Sequence, residues 1–569
     1  MRTARRLTLA APLVAALVVV PTATAPAAAP VPVTRAQNER VPEGASWTQH
    51  YVTTADGAEL HADVLLPEGL APGQRVPVIL SAGPYFGYSG AQTPEQFEAG
   101  PSDRFTDLLE GGDVLERGYA LVYVDTRGFG GSTGCPDFAG QGERLDVQAA
   151  IDWAAAQPWS TGSVGMYGKS YDAITGLIGN DLRDDDLKAV VAQEPVWDMY
   201  RNIHANGIPR TTSIGIPSTY SRIAVMPQPL DAGAKYLRNA AYELTHPTCI
   251  VDYVESYQNP DPSAPEWRPR DLAADAAGTD TPLFITQGFL EWNTDAEGVE
   301  EFLTNHTGPE RGWLGQWDHV RGNDTAADGR LAMGRAGWFE EVMSFYDEHL
   351  KGIAPTGQYP AFSVQDSTGA WRAQDTWPVV EETTTLDLRP GSYTDDGSAS
   401  SYWNVSAPLT SDTRITGTPE VSLDTAGNGQ TLVRLYDVAP DGTAVMFDEE
   451  AAVLVPGTTS YELRSTDWIL PTGHTLAVEV GTVHPFAAQP SPAQQALTDA
   501  AIVLPGDWMP SPSGQVVDVT GARLELDLDD PADDQATQGD RSVYLDQYLT
   551  YYTEDLPAGG PTFRVADGS

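Results

Sequence analysis

Two serines in this 569-residue chain have neighbours suited to a nucleophilic hydroxyl. Gly130-Gly131-Ser132-Thr133-Gly134 matches the G-x-S-x-G elbow letter for letter, whereas Gly168-Lys169-Ser170-Tyr171-Asp172 carries Asp172 in place of the last glycine. The elbow works because a sharp strand-to-helix turn lifts the hydroxyl above a sheet, so the flanking pattern outranks the letters. Ser170 follows the apolar run Val164-Gly165-Met166-Tyr167 and precedes Ala173, Ile174, Leu177 and Ile178 at helical spacing. Ser132 runs instead into Cys135-Pro136 and a further stretch of loop. Context nominates Ser170 as the nucleophile and leaves Ser132 a loop residue among turn-shaping glycines.

A serine hydroxyl needs a base, and the base needs an acid to orient it. In a strand–turn–helix architecture these follow the serine in the order acid, then histidine, each in a loop beyond a strand. His474 and His484 fall in a β-patterned region, and His349 lies in the helical Phe345–Leu350 segment. His319, within Trp317-Asp318-His319-Val320-Arg321-Gly322, stands past an apolar segment and ahead of a glycine. Glu291 is the first acid beyond the apolar run Leu283–Thr286, and Asp295 competes with it for the same role.

Such a set requires a buried parallel sheet. Val76–Leu80, Tyr119–Val124, Val164–Tyr167, Ala189–Ala192 and Leu283–Thr286 are short apolar runs of the right kind. Val147, Ala150, Ile151 and Ala154 repeat at helical spacing between them. The stretch from Ala192 to Leu283, rich in Tyr, Arg and Pro, reads as an inserted helical cap. After Trp377-Pro378 the pattern changes to alternation, as in Leu476–Val480 and Leu524–Leu528, with turns such as Asp441-Gly442 between. Such alternation predicts a β-sandwich.

The remainder bounds the setting. Lys and Arg total 33 against 79 Asp and Glu, a formal charge of −46, which repels phosphate backbones and anionic lipid and excludes a nucleic-acid partner. Arg2, Arg5 and Arg6 precede the apolar stretch Leu7–Val20 and the small-residue site Ala25-Pro26-Ala27, the pattern of a secretory signal peptide over 1–27. An Ala/Pro-rich linker is expected over 28–45. Two cysteines, Cys135 and Cys249, in a secreted chain predict one disulfide. No Cys/His cluster suggests a metal, and no cofactor is expected.

In order along the chain, further segments extend the pattern: Gly83-Pro84-Tyr85, Asp125-Thr126-Arg127-Gly128, Glu143 with Asp146, Trp153 and Trp159, Gly168-Lys169-Ser170-Tyr171, Gly288-Phe289-Leu290-Glu291-Trp292-Asn293, Trp317-Asp318-His319 and His349-Leu350-Lys351-Gly352. Together they resemble the Xaa-Pro dipeptidyl-peptidase family of serine hydrolases and its cocaine esterase-like branch, over about residues 46–530. The resemblance implies an α/β-hydrolase domain over 46–380 with its cap at about 197–278, and a jelly-roll β-sandwich over 381–569. It implies an oxyanion hole made by the Tyr171 backbone N–H and the Tyr85 hydroxyl. The activity it implies is release of Xaa-Pro dipeptides from peptide N-termini or, alternatively, cleavage of small esters or amides. Its partner is then a peptide or small acyl substrate, and a homo-oligomer is left open. Trp197-Asp198-Met199-Tyr200-Arg201 resembles the aromatic segment at the peptidases' cap entrance, so Trp197, Tyr200 and Trp292 are expected near substrate, the alternative for Trp197 and Tyr200 being that they simply pack the cap. A dipeptidyl-peptidase must also hold a free ammonium, for which Glu194, Asp198 and Asp172 are the candidate carboxylates. Two positions depart from the family: Glu291 stands where Asp is usual, and Asp172-Ala173 replaces x-G. Asp172 reads either as a solvent-facing acid favoured by the helix dipole or as a contact for a cationic substrate group.

Overall fold

The computed structural model describes residues 30–87, 98–229, 231–484, 505–532, 539–551, 553–555 and 562–563. The apolar runs form the middle of one sheet there: β1 (Val33–Thr34), β2 (Ala45–Thr53), β3 (Glu59–Pro67), β4 (Val76–Gly83), β5 (Ala120–Asp125), β6 (Ser160–Lys169), β7 (Leu187–Gln193), β8 (Leu283–Gly288), β9 (Glu310–Gly315), β10 (Phe362–Gln365) and β11 (Trp371–Gln374). Their spatial order is 1-2-3-5-4-6-7-8-9-10-11. Neighbours run parallel from β5 through β10, while β3 and β11 are antiparallel to the strands they flank. A parallel sheet is covered on both faces, so its strands must be apolar throughout rather than alternating. β4 and β5 are accordingly buried at every position. Val78 and Leu80 join the hydrophobic cluster of helices Gln141–Ala155 and Tyr171–Leu182, and Ile79 joins that of helix Trp338–Lys351.

Between β7 and β8 the chain leaves the sheet for a helical insertion containing Met199–His204, Ile216–Ala224, Ala234–Ala240, Tyr242–Thr245, Thr248–Tyr257 and Leu272–Asp275. Helix Ile216–Ala224 packs on helix Thr248–Tyr257. The latter carries Cys249, which is disulfide-bonded to Cys135 in the loop after β5.

From Glu382 onward two further sheets form, each of six described strands and almost wholly antiparallel. Strand Val516–Asp529 alternates buried and exposed positions along most of its length, as a half-buried strand should. Inward residues of both sheets, among them Val421, Leu423, Val433, Leu435 and Val478, share one hydrophobic cluster with Trp292, Trp313 and Trp317 of the first sheet and its loops.

Two expected boundaries need correction. The stretch 28–45 is not a linker throughout: Val33 and Thr34 pair with Trp47 and Ser46, and Val41 is fully buried. A two-residue strand is too short for a period to show. Nor does everything after 381 stay with the two later sheets. Asp540 N–H donates to the Gly334 carbonyl at 2.6 Å, Val543 N–H to Ala332 at 3.0 Å, and the Ser542 hydroxyl to the Gln316 carbonyl, so the chain's end returns to the loop beyond β9. The expected signal peptide lies outside the described residues.

Candidate active site

Open parallel sheets bind ligands outside the carboxyl ends of their strands, where the strand order reverses. Here the reversal is at β4, between β5 and β6. Ser170 follows β6 directly and begins helix Tyr171–Leu182, with φ 64° and ψ −124°. A non-glycine residue at positive φ is strained, and the strain sits at the turn that raises a hydroxyl above a sheet. The turn needs glycine at Gly168, where a Cβ would collide with the Asp172 carbonyl. The Ser170 N–H donates to the Gln193 carbonyl at 2.8 Å, fixing the turn to the end of β7.

The loops after β8 and β9 bring Glu291 and His319 together. His319 Nδ1 lies 2.6 Å from Glu291 Oε2, and both side chains are buried. Glu291 Oε1 accepts from the Asn293 and Thr294 N–H groups at 2.6 and 3.2 Å, so the carboxylate is held by its own loop. Lys169, beside Ser170, donates from Nζ to the His319 carbonyl at 3.0 Å, which ties the serine turn to the histidine loop. Burial pushes the Glu291 carboxyl up, but the His319 imidazole, the Asn293 N–H and the Lys169 ammonium outweigh it and hold the acid below its usual range. Burial, then the Lys169 charge, hold His319 below the ordinary imidazole value against the pull of Glu291. Lys169 is itself lowered to about 8 by burial. The pair therefore rests as a carboxylate and a neutral imidazole, the state in which an imidazole can take a proton.

Asp295 does not compete for that place: its carboxylate is ion-paired with Arg210, which also reaches Glu297 and Glu450 at 3.3 and 3.2 Å. Ser132 is a structural hydroxyl. It is buried, donates to the Asp125 carbonyl at 2.7 Å and accepts from the His61 N–H at 2.9 Å, pinning the glycine loop to β3.

The Tyr171 N–H opens its helix, so it has no partner within the helix. Its side chain points elsewhere, its hydroxyl donating to Glu143 at 2.6 Å. The Tyr85 ring is edge-on to Tyr171 with centroids 6.3 Å apart, and its hydroxyl is 2.5 Å from that of Tyr220 on helix Ile216–Ala224. The Arg104 guanidinium lies 3.9 Å over the Tyr85 ring.

The residues expected to meet substrate are mostly committed elsewhere. Asp172 is not solvent-facing: it is buried against Gly83 and ion-paired with Arg104, which also donates to the Lys169 carbonyl at 3.0 Å. A buried carboxylate needs a cation, and no spacing pattern points from Asp172 to a loop residue 68 positions upstream. Glu194 is fully buried and accepts from Thr286, the Gly288 N–H and the Trp317 indole at 2.9–3.0 Å; it braces β8 against the histidine loop. Burial and the Glu291 charge push it up to about 8. Asp198 caps helix Met199–His204 by accepting from the Tyr200 and Arg201 N–H groups. Trp197 is core, its indole donating to Gln287 at 2.8 Å and its ring packed on Phe302. Trp292 is buried at the seam with the later sheets, under the Arg464 guanidinium at 3.4 Å. Tyr200 donates to the Pro260 carbonyl at 2.8 Å and stacks on His204, bracing the insertion. Arg104, Tyr220 and Thr294, whose hydroxyl is 3.2 Å from His319 Nδ1, were not nominated by the sequence. Their roles come from loop and insertion contacts that leave no local pattern.

Residues 56–321, which contain Ser170, Glu291 and His319, match the family model described as X-Pro dipeptidyl-peptidase (S15 family). A Streptomyces avermitilis relative bearing the provisional name Xaa-Pro dipeptidyl-peptidase is 25% identical over 67% of this chain; the match spans 61% of the relative's length. The cocaine esterase of a Rhodococcus species is 24% identical over 58% of this chain and 60% of its own. A CocE/NonD family hydrolase from Staphylococcus aureus superposes with a TM-score of 0.63 at 17% identity, covering 85% of this chain and 94% of its own, which shows a shared fold.

Proposed function

We propose that this chain, related through its residues 56–321 to the X-Pro dipeptidyl-peptidase (S15) family and its cocaine esterase-like relatives, is a serine hydrolase working through an acyl-enzyme. The observation that carries the reading is the strained turn at Ser170, joined by Lys169 to a buried His319–Glu291 pair. Glu291 holds Nδ1, which leaves Nε2 to take the Ser170 proton as Oγ bonds to the substrate carbonyl carbon. The negative charge that then develops on the carbonyl oxygen is met by the Tyr171 N–H and the Tyr85 hydroxyl; one such donor is worth about 10²–10³ in rate. The imidazolium passes its proton to the leaving group, and water, activated by the same imidazole, releases the acid. The helical insertion is read as the cap and the two later sheets as a jelly roll. Residues 1–27 are read as an export signal, which N-terminal sequencing of the released protein would test.

Small esters or amides are the substrate class favoured here. A dipeptidyl-peptidase must hold a free α-ammonium, and Asp172, Glu194 and Asp198 are already engaged by Arg104, by core donors and by a helix N-terminus. Release of Xaa-Pro dipeptides is the second reading, supported by the family match and by the first relative's name. Hydrolysis of p-nitrophenyl acetate, an X-Pro anilide and its N-blocked form separates the two. Efficient ester cleavage with weak, blocking-insensitive amide cleavage supports the first reading; strong amide cleavage lost on blocking supports the second. Ser170→Ala should abolish all of it and Ser132→Ala should retain the chemistry.

A further inference from the structure

We propose that Tyr220 of the helical insertion is a positioning residue for the oxyanion hole, holding and polarising the Tyr85 hydroxyl so that the hole is complete only with helix Ile216–Ala224 docked against Tyr171. The inference rests on the reading of Tyr85 as an oxyanion donor. Tyr85 has one hydroxyl proton. If that proton is given to the substrate oxygen, the 2.5 Å contact between the two phenols has a single polarity, with Tyr220 donating to Tyr85. A hydrogen bond received by a hydroxyl strengthens the one it donates. Burial pushes Tyr85 up to about 12 and Tyr220 well above its ordinary value, so both phenols keep their protons at neutral pH, as such a chain requires.

The surroundings fix both rings. Arg104 covers the face of Tyr85, and Arg104 is locked in turn by Asp172 and the Lys169 carbonyl. Tyr220 packs among Phe129, Phe138 and Tyr171, with ring centroids 6.3, 5.4 and 5.0 Å away. Its helix rests on helix Thr248–Tyr257, whose Cys249 is bonded to the core-side Cys135. The Tyr220 hydroxyl is therefore delivered by the insertion but held in register with the sheet. A residue from another part of the chain thus enters the reaction through Tyr85 without touching substrate.

A double-mutant cycle on the full chain with p-nitrophenyl acetate tests this. Tyr85→Phe should lower kcat by about 10²–10³. Tyr220→Phe keeps the ring and should lower kcat about tenfold, with KM and Tm unchanged. In the Tyr85→Phe background the same change should have no further effect, because its route to the reaction is gone. If Tyr220→Phe leaves kcat unchanged, or if its effect multiplies undiminished in the double variant, the relay is overturned while the oxyanion reading stands. A harmless Tyr85→Phe overturns the oxyanion reading and the relay with it.

Discussion

At the scale of residues, the site divides into groups fixed by local pattern and groups fixed by distant partners. Glu291 is held by its own loop and by His319, so Glu291→Gln should keep the fold and lower kcat by about 10³–10⁴, with little change in KM. Asp295→Asn should do the opposite, retaining kcat and lowering Tm. Breaking a buried pair costs about 3–5 kcal/mol, less here because Glu297 and Glu450 remain beside Arg210. A collapse of kcat in Asp295→Asn beside a healthy Glu291→Gln would reverse the two roles. Lys169 permits a sharper test. Its ammonium disfavours the imidazolium of His319, so removing it raises the His319 pKa. On the proposed mechanism activity needs neutral His319 and falls as the ring protonates, so the acid limb of kcat/KM should move to higher pH in Lys169→Met. An unmoved limb would show that Lys169 acts only through its hydrogen bond to the loop. The placement of Ser170 at the turn after β6, and of Glu291 and His319 in neighbouring loops beyond β8 and β9, was legible because each follows a strand. The fate of Asp172 was not, because its cation, Arg104, comes from a loop whose only link to it is tertiary.

At the scale of elements, strands buried on both faces announced themselves as unbroken apolar runs, and β4 through β8 lie where those runs predict. The insertion was legible as a helical one from a long gap between strand runs, but its individual helices were not, since they are short and their anchors are not periodic. One anchor is covalent. The Cys135–Cys249 bond spans 114 positions and joins the loop after β5 to helix Thr248–Tyr257. In the chain-entropy model a loop near 100 residues contributes at most about 4.7 kcal/mol. Reduction, or Cys135→Ser with Cys249→Ser, should therefore lower Tm by several degrees; an unchanged melting curve on reduction would mean the insertion is held by its side-chain contacts alone.

For the whole molecule, the dominant facts are a charge of −46 and, among the described residues, carboxyls buried in excess of cations. Burial pushes Glu143 and Glu194 up to about 8, and Asp448 up to about 7. An acid whose pKa is raised by folding binds more protons folded than unfolded between the two pKa values, so stability falls as pH rises through that window. Tm should accordingly rise as pH is lowered from about 8.5 to about 6. A Tm that falls monotonically over that interval would contradict the assignment of these buried acids as protonated. One connection also has a consequence in time. The loop that carries His319 is fastened from beyond by Ser542, Val543 and Asp540, near the end of a 569-residue chain. Chains fold from the N-terminus as they are made, so the sheet and the Ser170 turn can form on the ribosome well before that fastening exists. On the proposed mechanism a nascent chain would then hold Ser170 without a settled His319, and would become competent only once the segment around Ser542 has emerged.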